Sequence, residues 1–210
     1  MNKMNRLLAA ILSTAVLMFA GTALAQEAPD TLVKRISQDV LNTAKADKAI
    51  QSGNQKRIRA LVESKIVPHV DFQRMTSLAA GPHWRSATAQ QQQRLTLEFR
   101  DLLIHTYSGA ISQIQDQVLQ FRPLRAAPSD TDVVVYSQVI QKGREPIQLN
   151  YRLEKHGDAW KIYDLNVLGA WLVQTYKGTF ATEIGKSGVD GLIQTLADKN
   201  KKLGTSSAKN

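Results

Sequence analysis

The chain has 210 residues, a formal charge of +9, 43% hydrophobic residues and no cysteine. Without thiols there are no disulfides, no thiolate metal sites and no cysteine nucleophile, and the length suits one domain with a substantial core. The basic balance has no zinc-finger spacing or glycine-rich aromatic RNA-binding motif beside it, which argues against nucleic acid as the partner; anionic lipid headgroups or an acidic protein suit the charge better, and solubility alone accounts equally well for any individual Lys or Arg.

Lys3 and Arg6 form a basic start, Leu7 to Ala20 is a run of apolar and small residues, and Ala23-Leu24-Ala25 fits a cleavage site. Residues 1–25 therefore read as a secretory signal peptide, because the run is shorter than the roughly 20 apolar residues a membrane span needs. Cleavage would leave a soluble chain from Gln26 with a charge of +7, since the leader removes two basic residues and no acidic one. A single domain is expected over 26–203, followed by a polar, basic, disordered tail over 204–210.

Pro29-Asp30 reads as a helix start, with Leu32, Ile36, Val40 and Ala44 on one face. Ser52-Gly53-Asn54 breaks the pattern, and a second helix follows from Gln55 to Ser64 with Ile58, Leu61 and Val62 inward. Asp71 is placed to cap a short helix carrying Phe72, Met75, Leu78 and Ala79, which Gly81-Pro82 ends. Thr88 and Gln91 have the spacing of a capping box, and the helix behind them is predicted to reach about Gln115. Its stripe, Leu95, Phe99, Leu102, Leu103, Tyr107, Ala110, Ile111 and Ile114, is broad enough to be covered on more than one side.

From Val118 the period becomes two. Strands are predicted over 118–122 and 133–140, with Gly143 at the hairpin turn. In the next, Ile147, Leu149, Tyr151 and Leu153 alternate with polar residues, the pattern of a strand with one buried face. After the His156-Gly157-Asp158 turn, Trp160 opens a strand that hands its chain straight to a helix, with Leu168, Leu172, Tyr176 and Phe180 four residues apart. Gly178, Gly185 and Gly188 should divide that helix, its second piece running from Val189 to about Lys199. The expected fold class is α+β, an antiparallel meander packed on helices around either a filled core or a pocket.

Reactive constellations are sparse. His69, His83, His105 and His156 lack metal-ligand spacing, and no G-x-S-x-G, H-E-x-x-H or phosphate-cradling motif is present. His69 with Asp71, or Asp164, could serve as a general base in an apolar cleft, as in cone-shaped helix-and-sheet enzymes; the plain alternatives are a helix cap, a loop histidine and a strand-end carboxylate bonded to backbone amides. Arg85 beside Trp84 could make a cation-π contact or hold a phosphate.

The segments Asp71 to Ile111, Ile147 to Gly169 (IQLNYRLEKHGDAWKIYDLNVLG) and Gly188 to Leu196 (GVDGLIQTL) together resemble the MlaC family, the phospholipid-binding proteins of the Mla lipid-asymmetry system, also known for toluene tolerance. The resemblance runs from about Pro29 to Leu203. It implies a monomeric, non-enzymatic periplasmic carrier with a deep apolar pocket in an NTF2-like cone and no cofactor or metal beyond phospholipid as cargo. Its implied partners are an inner-membrane ABC transporter complex and an outer-membrane lipoprotein-porin complex. Leu168 stands where many relatives carry Glu. By face and position, the expected acyl-chain wall is Leu103, Tyr107, Val135, Leu149, Tyr151, Trp160, Ile162, Leu168, Ala170, Trp171 and Leu172. A general base at Asp71 or Asp164 remains the alternative.

Overall fold

The computed structural model describes residues 27–207. The leader over 1–25 and the start at Gln26 lie outside the described residues. Helix α1 spans Pro29–Ala46, with Pro29 in its first turn, where the missing N–H costs nothing, Asp30 beside it and Lys45 near its end. A one-turn helix α2, Lys48–Gln51, is capped by Asp47, whose carboxylate accepts from the N–H groups of Ala49 and Ile50. Asn54 caps α3 (Gln55–Lys65), and Asp71 caps α4 (Phe72–Ala80) by accepting from Arg74 N–H. A short α5, His83–Ser86, precedes α6, Ala89–Tyr107, which opens on the full Thr88/Gln91 capping box.

Helix α6 ends earlier than its apolar stripe suggests. The chain tightens into a 3₁₀ helix over Ser108–Gln113, beginning at Ser108-Gly109, where glycine weakens the α ladder, and Ile111 stays buried within it.

The sheet contains β1 (Val118–Phe121), β2 (Asp132–Val135), β3 (Ser137–Ile140), β4 (Ile147–His156), β5 (Ala159–Val167) and β6 (Ala170–Trp171), all paired antiparallel in the order β1, β3, β4, β5, β6, with β2 on β4. Strands β2 and β3 are the expected strand over 133–140, interrupted at Tyr136. Both keep one register along β4, Val135 opposite Tyr151 and Gln138 opposite Gln148. At the break, the Asn150 side chain accepts from Ser137 N–H at 3.0 Å and Ser137 Oγ donates to Leu149 O, replacing ladder bonds with side-chain bonds.

The strand opened by Trp160 does not pass directly into a helix. Leu168 and Gly169 have φ of 54° and 87° and sit between the paired Val167 and Ala170, so they form a two-residue hairpin turn with both residues left-handed. Helix α7, Leu172–Ser207, starts after β6 and is broken once, at Gly188 (φ 70°, ψ −176°); Gly178 and Gly185 stay helical. Leu168 therefore leaves the helical face, while Tyr176 and Phe180 each pack on Phe99 except that Phe180 is the fully buried one: both ring pairs lie 4.9 Å apart. The tail expected over 204–210 is helical through Ser207. Asn200 Nδ2 donates to Glu98 O and Oε2, each at 2.9 Å, and half-buried Leu203 packs on the core, which carries the helix onward.

The interior divides into three clusters. One joins α4, α6 and α7 through Phe99, Phe180 and Leu192. A second sets Leu32, Val33 and Ile36 of α1 against Val133, Val135, Leu153, Trp160 and Ile162 of the sheet. The third gathers Ala44, Ile50, Ile58, Leu61, Ile104 and Ile111. Between helices and sheet, the segment before α4 is stitched to β5: Asp71 N–H donates to Ile162 O at 2.8 Å and Lys161 Nζ to Pro68 O at 2.7 Å.

Candidate functional site

Where the three clusters meet, they leave a cavity of about 340 Å³. Each supplies a wall: Met75, Leu103 and Leu172 from the first, Ile36, Tyr151 and Ile162 from the second, Val62, Ile104 and Ile111 from the third. Among the described residues, no charged side chain lines it; the polar side chains that do are those of Ser37, Ser108, Tyr107 and Tyr151. Ser37 Oγ and Tyr151 Oη are 3.5 Å apart, and burial raises the Tyr151 phenol above its ordinary value, so this hydroxyl stays neutral. Such a space cannot satisfy a charged ligand group, but it removes apolar surface from water at about 25 cal/mol per Å². Exposed Ala110 and half-buried Tyr107, Leu149 and Val167 mark where it meets solvent.

Of the expected wall, Leu103, Tyr107, Leu149, Tyr151, Ile162 and Leu172 line this cavity. Val135 and Trp160 do not; they share the apolar face of the sheet, but α1 covers them, leaving Val135 1% and Trp160 9% exposed. Leu168, Ala170 and Trp171 are corrected too. Leu168 is 73% exposed at the hairpin turn, and Ala170 is exposed beside it. Trp171 turns to the other face of the sheet, where the Arg152 guanidinium lies 4.0 Å from its ring centroid. Of the walls missed in the sequence, Ile36, Val40, Val62, Phe72, Met75, Ala110 and Ile111 sit on stripes recognised as inward, but periodicity does not tell which inward residue meets a neighbour and which meets a void; Ile66, Val70 and Ile104 lay outside those stripes. Leu165 and Val167 carried a period-two signal in the same strand as Ile162.

The candidate bases fall outside the cavity. Asp164 is fully buried; its Oδ1 accepts from Leu165 N–H at 2.9 Å and Val173 N–H at 3.0 Å, and its Oδ2 from Arg152 at 3.2 Å. Burial raises its pKa against the lowering effect of those amides and of Arg152. Asp71 is occupied as the α4 cap, and the imidazole beside it is that of His156, 3.5 Å away, rather than His69. His69 is half-buried, and burial together with Arg35 and Lys161 lowers its pKa. Trp84 packs against the first cluster while Arg85 is exposed. Among the described residues, no three His, Asp or Glu gather as metal ligands, and no helix is long and apolar enough to cross a membrane.

The MlaC protein family model matches residues 34–198. The chain is similar to the intermembrane phospholipid transport system binding protein MlaC of Haemophilus influenzae, 22% identical over 178 residues covering 83% of each chain. It is also similar to the toluene tolerance protein ttg2D of Pseudomonas putida, 24% identical over 168 residues, 79% of this chain and 77% of that one. Among solved structures, the phospholipid-binding protein from Ralstonia solanacearum, in complex with a phospholipid, superposes with a TM-score of 0.79 at 45% identity, covering 86% of this chain and 98% of that chain.

Proposed function

The chain belongs to the MlaC family, and from that premise we propose that it is a periplasmic phospholipid carrier whose acyl chains enter the cavity between helices and sheet. It would move lipid between an outer-membrane lipoprotein-porin complex and an inner-membrane ABC transporter complex. The observation that carries this reading is the cavity's lining, which among the described residues is twenty side chains without one charge, in a chain 45% identical to a protein solved with a phospholipid.

The energetics set what such a carrier must do. At about 0.8 kcal/mol per CH₂, two chains of roughly 16 carbons would cost on the order of 25 kcal/mol to expose to water, so lipid does not cross an aqueous space unaided. The cavity has to match a bilayer without exceeding it, or the lipid is never released. At 340 Å³ it lies near the lower end of ligand pockets, so a two-tailed lipid would push its walls apart.

The alternative, a general base at Asp71 or Asp164, has no support in the geometry, since neither lines the cavity and both carboxylates are occupied by backbone N–H groups. The carrier reading is tested by movement of a fluorescent phospholipid from donor to acceptor vesicles. Protein-dependent transfer supports it, and a rate equal to that without protein counts against it.

A further inference from the structure

The mouth of the apolar cavity has an apolar edge of its own. Leu168 is the most exposed large hydrophobic residue among the described residues, and Ile147 is 42% exposed. Leu168 follows Val167 and donates its N–H to Gln148 O at 3.2 Å, which sets it beside Leu149; Val167 and Leu149 are paired in the sheet, and both line the cavity. Ile147 lies two residues from Leu149 and so on the same face of β4. Ala170, paired with Val167, is exposed too. Across the mouth, the 3₁₀ helix Ser108–Gln113 carries no charged residue and exposes Gly109 and Ala110. The apolar lining therefore continues outward as a lip.

Within the fold, leucine at the tip of this lip costs more than it stabilises. A two-residue turn with both positions left-handed favours Asn or Gly, and Leu168 takes that conformation with its side chain in water. The turn that precedes Ile147 carries Lys142 and Arg144, both exposed, with Glu145 as its one acid. Exposed apolar side chains flanked by cations suit the headgroup layer of an anionic bilayer, which such groups enter to a depth of about 5–10 Å. A protein partner could cover the same apolar area. Only a lipid surface extends the cavity's interior without a layer of water between, so that an acyl chain passing Leu149 and Val167 meets other acyl chains.

Resting on the carrier reading, we propose that this lip is a membrane-docking surface: Leu168 and Ile147 sink into an anionic leaflet, Lys142 and Arg144 lie against its phosphates, and the mouth opens onto hydrocarbon. Docking holds the cavity against the bilayer during exchange and is not needed to retain a lipid already inside. The left-handed leucine then serves transfer rather than stability.

Because the chain has no cysteine, a single one can be labelled at a chosen site. An environment-sensitive dye on Leu168→Cys should shift its emission to the blue when vesicles of phosphatidylcholine with phosphatidylglycerol are added. The same dye on Leu97→Cys, an exposed apolar site about 15 Å along α6 from Tyr107, should not. In unlabelled protein, Leu168→Asn should slow movement of a fluorescent phospholipid between such vesicles roughly tenfold while the lipid co-purified with the protein stays at the wild-type amount, and Leu97→Gln should transfer as wild type. Emission that responds alike at both sites, or undiminished transfer by Leu168→Asn, overturns the docking surface; with no response at either site, the lip is left to a protein partner. A wild type that gives the dye response at Leu168 yet transfers no lipid would uphold the docking surface and contradict the carrier reading instead.

Discussion

The carboxylate of Asp164 accepts a hydrogen bond from Val173 N–H at 3.0 Å, tying the last central strand to the first turn of the final helix. With Leu165 N–H on the same oxygen and Arg152 on the other, a group that looked like a candidate base is a fastener. Asp164→Ala leaves buried amide donors unpaired and should cost about 2–4 kcal/mol in urea unfolding, whereas Asp164→Asn keeps an acceptor and should cost less. Lipid loading should survive Asp164→Asn; its loss in a folded variant would return Asp164 to the functional site.

The same residue gives a pH signature. Burial raises its folded pKa above the ordinary 3.8, so the folded protein binds this proton more tightly than the unfolded chain does. Its contribution to stability is therefore largest when protonated and falls as pH rises from about 3.8 to the raised value. Over that window, the stability of Asp164→Asn relative to wild type should increase with pH. A difference independent of pH would show that the folded carboxyl is not raised.

Leu149 and Ala170 separate cavity wall from rim. Leu149→Trp adds volume inside the lining and should reduce co-purified phospholipid at least about tenfold while leaving the circular dichroism unchanged. Ala170→Glu adds charge at an exposed position and should load as wild type. Equal loading by both variants would mean that lipid does not occupy this cavity.

Leu168 is the one non-glycine residue with positive φ among the described residues, and 73% of it is exposed. Its left-handed backbone is costly for a branched hydrophobic side chain that gains little burial in return. Leu168→Gly or Leu168→Asn should stabilise the protein by about 0.5–1 kcal/mol, read from the urea midpoint. Destabilisation would mean that the Leu168 side chain makes contacts that outweigh its strain.

Much of the fold was legible because its signals are local. The stripe of α1, the caps at Asp71 and Thr88 and the alternation of Ile147 to Leu153 each need only a few consecutive residues. What escaped depends on partners distant in sequence. The break at Tyr136 is made by Asn150 across the sheet, and the continuation of α7 past Lys199 by Glu98. The site shows the same limit: Val135 and Leu149 lie on one apolar face, and only the docking of α1 decides that the first is packed and the second borders a void.

The most direct measurement is organic extraction of the gently purified protein, with the extract quantified by mass spectrometry. Phospholipid at about one molecule per chain, lost in Leu149→Trp and kept in Ala170→Glu, is the result expected of a carrier that holds acyl chains between helices and sheet. A wild-type protein that yields no phospholipid, and takes none up from vesicles, would contradict it.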